Sequence, residues 1–106
     1  MIFTGIELLF RILCDGHVMS VTADAVYKLG ELRQTDKLLE EMDELGQALL
    51  KYRYDGREYG HVAEETADVL ITLVEQLHIH GEDFLAMVAT WIEDKIALLE
   101  DDLNGI

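Results

Sequence analysis

Two pairs of carboxylates in this sequence stand three residues apart, Glu41 with Glu44 and Glu65 with Asp68. Residues at this spacing lie on one face of an α-helix, where like charges repel each other by roughly a few tenths of a kcal/mol. A hard divalent cation offsets that repulsion, and Mg²⁺ and Mn²⁺ are held by oxygen ligands, whereas zinc prefers nitrogen and sulfur. The spacing therefore predicts a magnesium or manganese site, provided that the two segments are helices that meet.

The charge of the chain limits both this prediction and the choice of partners. With 22 acidic residues in 106, an acidic pair at helical spacing also arises by chance. The net charge of −14 argues against nucleic acid or an anionic membrane surface as a partner, since both attract basic patches. An anionic small molecule is repelled too, unless it arrives with a metal ion. Cys14 is the single cysteine, which excludes an internal disulfide and favours a reducing, cytoplasmic location.

The N-terminal segment MIFTGIELLFRILCDG is apolar but is not typical of a signal peptide. It lacks a basic start, and Glu7 and Arg11 interrupt its apolar run. No stretch approaches the ~20 apolar residues that cross a bilayer. Met19 is a possible second start site, so we interpret residues 1–18 as an N-terminal extension or short helix and residues 19–106 as the helical domain.

Composition predicts a single all-α domain. Half of the residues are apolar and proline is absent, which favours helices around one core. Glycines punctuate the chain, and Ser20 or Thr22 is expected to cap the second helix, while Gly30 either ends or bends it. The predicted helices span approximately residues 5–14, 20–30, 31–54, 61–80 and 82–103.

The two long acidic segments are amphipathic. In the third segment, the pattern predicts a core-facing stripe with Glu41 and Glu44 at its flank, formed by Leu38, Met42, Leu45, Leu49 and Tyr52. In the fourth, Glu65, Asp68 and Thr72 border an apolar face formed by Val62, Val69, Leu70, Leu73 and Leu77. The fourth segment is apolar around most of its circumference. We therefore expect a bundle of four to five helices whose core is completed in a homodimer or homotetramer.

The segments QTDKLLEEMDELGQALLKY and EETADVLITLVEQL together resemble the MazG-like all-α nucleoside triphosphate pyrophosphohydrolases, in particular their compact, phage-type branch. The family signature is EExxE, a spacer, and ExxD. Here Glu40, Glu41 and Glu44 supply the first half, and Glu65 and Asp68 supply the second after 20 intervening residues. The resemblance covers about residues 25–98.

The resemblance implies hydrolysis of a nucleoside triphosphate between its α and β phosphates, giving a monophosphate and pyrophosphate. Glu41, Glu44, Glu65 and Asp68 are then expected to hold Mg²⁺, with Mn²⁺ as a possible substitute, and either Glu40 or Glu44 handles the attacking water. Lys37 and Lys95 are the candidate phosphate contacts, although Lys37 is equally suited to an ion pair with Glu41. The preferred base and sugar do not follow from the sequence.

Two other interpretations compete with this one. A ferritin-like di-iron bundle needs two Glu-x-x-His pairs, and the sequence offers one, Glu75 with His78. A non-catalytic helical dimer that acts as an interaction or regulatory module would use the acids as a solvated surface.

Trp91, the single tryptophan, is expected in the core with Phe84, Met87 and Val88 more often than stacked on a base.

Overall fold

A computed structural model describes residues 4–56 and 59–106 of the chain. Within these residues the chain is all-α, and five helices follow one another with short breaks. They are α1 (Gly5–Leu13), α2 (Gly16–Leu29), α3 (Glu31–Asp55), α4 (Tyr59–His80) and α5 (Glu82–Asn104). None of the helices in these two ranges is long and apolar enough to cross a membrane.

The start of α2 differs from the prediction. Asp15 caps this helix, because its carboxylate accepts the backbone N–H of His17 at 2.9 Å. Thr22 lies inside α2, where its hydroxyl donates to the Val18 carbonyl at 2.8 Å, so the prediction of a cap at Ser20 or Thr22 is wrong. The boundary predicted between residues 18 and 19 consequently falls within a continuous helix, and a core that does without residues 1–18 stays a prediction.

Glycines with positive φ angles separate the longer helices. Gly30 ends α2 and precedes α3 with φ at 91°, and Gly81 does the same between α4 and α5 with φ at 82°. Residues with a Cβ rarely adopt these angles, whereas glycine does so at no steric cost. Gly30 therefore ends the second helix rather than bending it, which resolves the alternative left open by the sequence.

Helices α3 and α4 pack against each other most extensively and run antiparallel. Thr35 near the start of α3 accepts a hydrogen bond from Gln76 near the end of α4, at 2.8 Å. At the opposite end, the rings of Tyr52 and Tyr59 lie 5.8 Å apart. Helix α2 packs across both, and the Thr22 hydroxyl lies 2.9 Å from Nε2 of His78 on α4.

The most deeply buried residues of α3 and α4 are mostly polar, contrary to the prediction of an apolar core. The buried residues of α3 are Gln34, Glu41 and Ala48, and those of α4 are Glu65, Thr72 and Glu75. Of the predicted core-facing stripe of α3, Met42, Leu49 and Tyr52 are exposed. Its other two members, Leu38 and Leu45, are half-buried. Apart from Ala48, Leu13 is the one buried apolar residue in the described part of the chain.

Helix α5 adds little to the core of this protomer. It packs only lightly on α4 and has no buried residue. Trp91 and Met87 are exposed, so the expectation that they lie in the core is wrong for the protomer. The Cα radius of gyration, 16.3 Å, exceeds the roughly 13 Å expected of a compact domain of this length. The protomer is therefore an open arrangement around the α3–α4 pair.

Candidate metal and nucleotide site

The antiparallel packing of α3 and α4 brings together the four carboxylates that the spacing singled out, here called the carboxylate group: Glu41, Glu44, Glu65 and Asp68. One oxygen each from Glu41, Glu44 and Glu65 lies within 4.8 Å of the others, and Glu64, Glu65 and Asp68 form a second such set. This convergence depends on register, because the i, i+3 spacing places two carboxylates together on each helix but does not decide where the helices meet.

Two members of the carboxylate group are buried at the helix interface. Only 4% of Glu41 and 6% of Glu65 is exposed to solvent. In each of them, Oε2 has no hydrogen-bond partner among the described residues. A buried acceptor without a partner is destabilising by about 1–3 kcal/mol, and more if it is charged. The sequence predicted these residues at the rim of the core, but they are among the most deeply buried residues of α3 and α4.

The buried environment raises the pKa of the other two members of the carboxylate group, Glu44 and Asp68. Partial burial, together with the charges of Glu41 and Glu65, raises the pKa of Glu44 above its usual value. Burial and the neighbouring charge of Glu41 likewise raise the pKa of Asp68. Both shifts have the direction expected when negative charges approach without enough positive charge to balance them.

Lys37 is the nearest compensating charge. Its Nζ lies 2.9 Å from Oε1 of Glu41, one helical turn away, so the i, i+4 ion pair is present. Hydrogen bonding to Glu41 and the charge of that residue raise the pKa of Lys37. Half of the Lys37 side chain remains accessible, and its role as a phosphate contact stays a prediction.

Two cavities flank the carboxylate group. The larger, of about 570 Å³, is lined by residues of α2, α3 and α4, including Lys37, Glu40, Glu41, Asp68 and Glu75. The smaller, of about 310 Å³, lies on the other side and is lined by Glu44, Gln47, Ala48, Lys51, His61 and Glu65. Glu40 is exposed and borders the larger cavity, whereas Glu44 borders the smaller one.

Lys95 is not brought to the carboxylate group by this protomer. It lines neither flanking cavity, and its Nζ lies 5.7 Å from the centroid of the Trp91 ring on α5. Three further basic residues, Lys51, Arg53 and Arg57, stand between residues 51 and 57 of the sequence. Lys51 borders the smaller cavity, Arg53 lies over the Tyr54 ring, and Arg57 is outside the described residues.

Sequence reasoning missed two residues of this region. His61 lies one turn before Glu65, with its Nε2 3.8 Å from a carboxylate oxygen. The i, i+4 spacing from His61 to Glu65 was the available signal. The sequence indicated Glu75 only as half of a Glu-x-x-His pair with His78. In the structure His78 lies against Thr22, and Glu75 lines the larger cavity.

Comparison with family models, with curated proteins and with solved structures finds no match for this chain.

Proposed function

We propose that this protein is a Mg²⁺-dependent nucleoside triphosphate pyrophosphohydrolase that acts in the cytoplasm. One observation carries the proposal: two buried carboxylates, Glu41 and Glu65, each keep an oxygen without a partner at the point where Glu44 and Asp68 also converge. Such an arrangement is costly in the metal-free chain and becomes favourable when a cation binds. The EExxE and ExxD spacing supplies the link to nucleotide hydrolysis.

The residues fit a hard divalent cation. All four members of the carboxylate group offer oxygen ligands, which Mg²⁺ and Mn²⁺ prefer, and no cysteine is among them. Lys37 pairs with Glu41 and His61 lies 3.8 Å from Glu65, which are too few cations to balance the four carboxylates. When bound, Mg²⁺ neutralises triphosphate charge and polarises the attacked phosphorus.

The reaction breaks the bond between the α-phosphorus and the oxygen that bridges to the β-phosphate. Water forms the new bond to the α-phosphorus, its proton passes to a carboxylate, and pyrophosphate leaves. Glu40 is suited to take that proton because it borders the larger cavity, is exposed, and stands outside both close sets of carboxylates. Lys37, on the same cavity, is suited to bind a phosphate oxygen.

Self-association belongs to the proposal, as a homodimer or homotetramer. Large apolar side chains are exposed along α5, among them Met87, Trp91, Ile92, Ile96, Leu98 and Leu99. Patches of this kind in a protein of this size are typical of interaction surfaces. The nearly complete absence of buried apolar residues from the described protomer supports the same conclusion, since burial of apolar surface is the main favourable term in folding.

The test of the reaction is pyrophosphate release from a panel of ribo- and deoxyribonucleoside triphosphates, with and without Mg²⁺. Release that requires the metal supports the proposal. Orthophosphate in place of pyrophosphate contradicts it. No release, combined with no rise in melting temperature on adding Mg²⁺, favours the alternative of a non-catalytic interaction or regulatory module, because a ligand that binds the folded state stabilises it.

Site variants test the assignment of the carboxylate group. Glu44→Gln and Asp68→Asn are each expected to lower pyrophosphate release by at least about 1,000-fold, since each removes a charged oxygen ligand. Circular dichroism should report unchanged helicity. Asp43→Asn is the matched control, because Asp43 is the exposed neighbour of Glu44 and accepts a hydrogen bond from Gln47, one helical turn away. Activity retained by both site variants would contradict the assignment.

A further inference from the structure

Glu75 is a buried acid that the hydrolytic chemistry does not use. Only 5% of it is exposed, and its Oε2 has no hydrogen-bond partner among the described residues. It belongs to neither close set of carboxylates. Asp68 lies seven residues earlier on α4, which places Glu75 two turns, or about 10 Å, further along the helix. Glu75 is therefore separate from the proposed metal ligands.

The larger cavity, which Glu75 lines, has both apolar and polar walls. Glu75 lines the larger cavity together with Ala25 and Leu29 of α2 and Ile71 of α4. Gln34 of α3, also buried, lines the same cavity with a side-chain amide. Small-molecule sites combine apolar walls with polar groups that fix orientation, and about 570 Å³ lies within the usual range of their volumes. The rest of the lining is polar or charged, so Ala25, Leu29 and Ile71 are the apolar contacts that this cavity offers a ligand.

The same cavity reaches the carboxylate group at its other end, where Lys37, Glu41 and Asp68 contribute to its lining. A nucleotide whose phosphates lie at that end extends its base along α4 towards Glu75. We infer that the larger cavity is the nucleobase site and that the Glu75 carboxyl recognises the base through its exocyclic group, at position 4 of a pyrimidine or position 6 of a purine, and the adjacent ring nitrogen. This inference rests on the proposed function only in taking a nucleotide as the ligand.

The chemistry of the carboxyl matches that edge. Burial raises the pKa of Glu75 and so favours its neutral form. A neutral carboxyl offers one donor, its O–H, beside one acceptor, its carbonyl oxygen. The exocyclic group and ring nitrogen of a base also form one donor and one acceptor side by side, so the two edges make two hydrogen bonds. Binding the base then gives Glu75 the partners it lacks in the free chain.

Binding of nucleoside monophosphates, measured by calorimetry in the presence of Mg²⁺, tests this inference without requiring turnover. The ligands are dAMP, dCMP, dGMP, dTMP and dUMP, and the one that binds best is compared with its analogue that lacks the exocyclic group. Both ligands are measured with wild type, Glu75→Met and Glu75→Gln. Glu93→Met on α5 is the control, because Glu93 is exposed and lines neither cavity beside the carboxylate group.

Wild type and the Glu93 control should each lose about 10–100-fold in affinity when the exocyclic group is removed, as expected for a site that is left with an unpaired buried polar group. Glu75→Met should bind both ligands equally weakly, so that the two changes are strongly non-additive, which is the signature of direct contact. Glu75→Gln should preserve the preference, because an amide also offers a donor beside an acceptor.

The outcomes separate this inference from the proposed function. Additive effects of the substitution and the missing group overturn the inference, even if pyrophosphate release is observed. If the two losses of affinity are non-additive but the protein hydrolyses no triphosphate, the base site is supported and the proposed hydrolase function is contradicted. Failure of wild type to bind any of the monophosphates overturns the inference. Circular dichroism of Glu75→Met excludes unfolding as the cause, and removal of an unpartnered buried acid is expected to leave the fold intact.

Discussion

The α3–α4 pair has an inner surface, where the two helices contact each other, and an outer surface on the opposite sides of the helices. Acidic side chains are buried on the inner surface and leucines are exposed on the outer one, which is the reverse of the usual distribution. The surface where the two helices meet buries Glu41, Glu65 and Glu75, while Leu49 and Leu73 on the outer side remain 47% and 42% exposed. Within one protomer, the polar side chains are thus the better buried. Under the proposed function, the inner surface would bind a ligand and the outer one would contact another protein surface.

Energetics supports this division. A buried carboxylate is stabilised only by a cation or by hydrogen bonds, and the inner surface provides too few of either. An exposed leucine contributes to stability only after it is covered, at about 25 cal/mol per Å² of apolar area. Each surface of the chain can therefore be tested by changing it without changing the other.

The largest effect is expected on the outer surface. Leu49→Glu and Leu73→Glu each place a charge on an apolar face, and burying an unpaired charge is strongly unfavourable. We expect the dissociation constant of the homo-oligomer to rise by at least about 100-fold, which corresponds to about 2.7 kcal/mol. Size-exclusion chromatography with light scattering over a dilution series measures this change.

The control for this comparison is Lys28→Glu, which adds more negative charge at an exposed position of α2. It should leave the association state unchanged. An assembly that survives both leucine substitutions, or a wild-type chain that is monomeric at all concentrations, would contradict a role for the outer surface.

A smaller effect of opposite sign is expected on the inner surface. Glu65→Gln removes a buried charge and with it part of the repulsion within the carboxylate group. The metal-free melting temperature should rise by roughly 4–8 °C, which corresponds to about 1 kcal/mol in a domain of this size. The stabilisation by Mg²⁺ should be lost, because an oxygen ligand has lost its charge. Thermal unfolding with and without Mg²⁺ measures both changes.

Glu93→Gln is the control, since Glu93 is an exposed acid on α5 that belongs to neither close set of carboxylates. It should change the metal-free melting temperature much less, because an exposed carboxylate is already solvated. Equal effects of the two substitutions would show that burial is not the cause of the destabilisation.

The smallest effect concerns the pH dependence of stability at Glu75. Because burial raises its pKa in the folded chain, the folded state holds this proton more tightly than the unfolded state. The free energy of unfolding of wild type relative to Glu75→Met should be highest below the ordinary value of 4.5 and should fall as the pH rises through the raised pKa. Denaturant unfolding at several pH values measures this difference.

Other charged groups line the same cavity and are present in both proteins, so only the difference between wild type and variant is informative: Arg33, Asp36, Lys37, Glu40, Glu41 and Asp68. A difference that does not change with pH would mean that Glu75 titrates normally. That result would also remove the basis for a neutral carboxyl in the recognition of the base.

The sequence determined the helices and the pairing of the carboxylates. Glycines and the absence of proline predicted helices close to those observed for α1, α3, α4 and α5, because local conformational preferences decide where a helix ends. The i, i+3 spacing placed Glu41 with Glu44 and Glu65 with Asp68, since helix geometry fixes which residues share a face.

Tertiary structure decided which face of each helix turns inward. The apolar stripe of α3 predicted Leu49 and Tyr52 in the core, but hydrophobic periodicity identifies a face that is buried somewhere and does not say by which chain. The register of α3 against α4 brought Glu41 to Asp68, and the crossing of α2 enclosed Glu75 in a cavity. These relations join residues that are distant in the sequence, and no local preference encodes them.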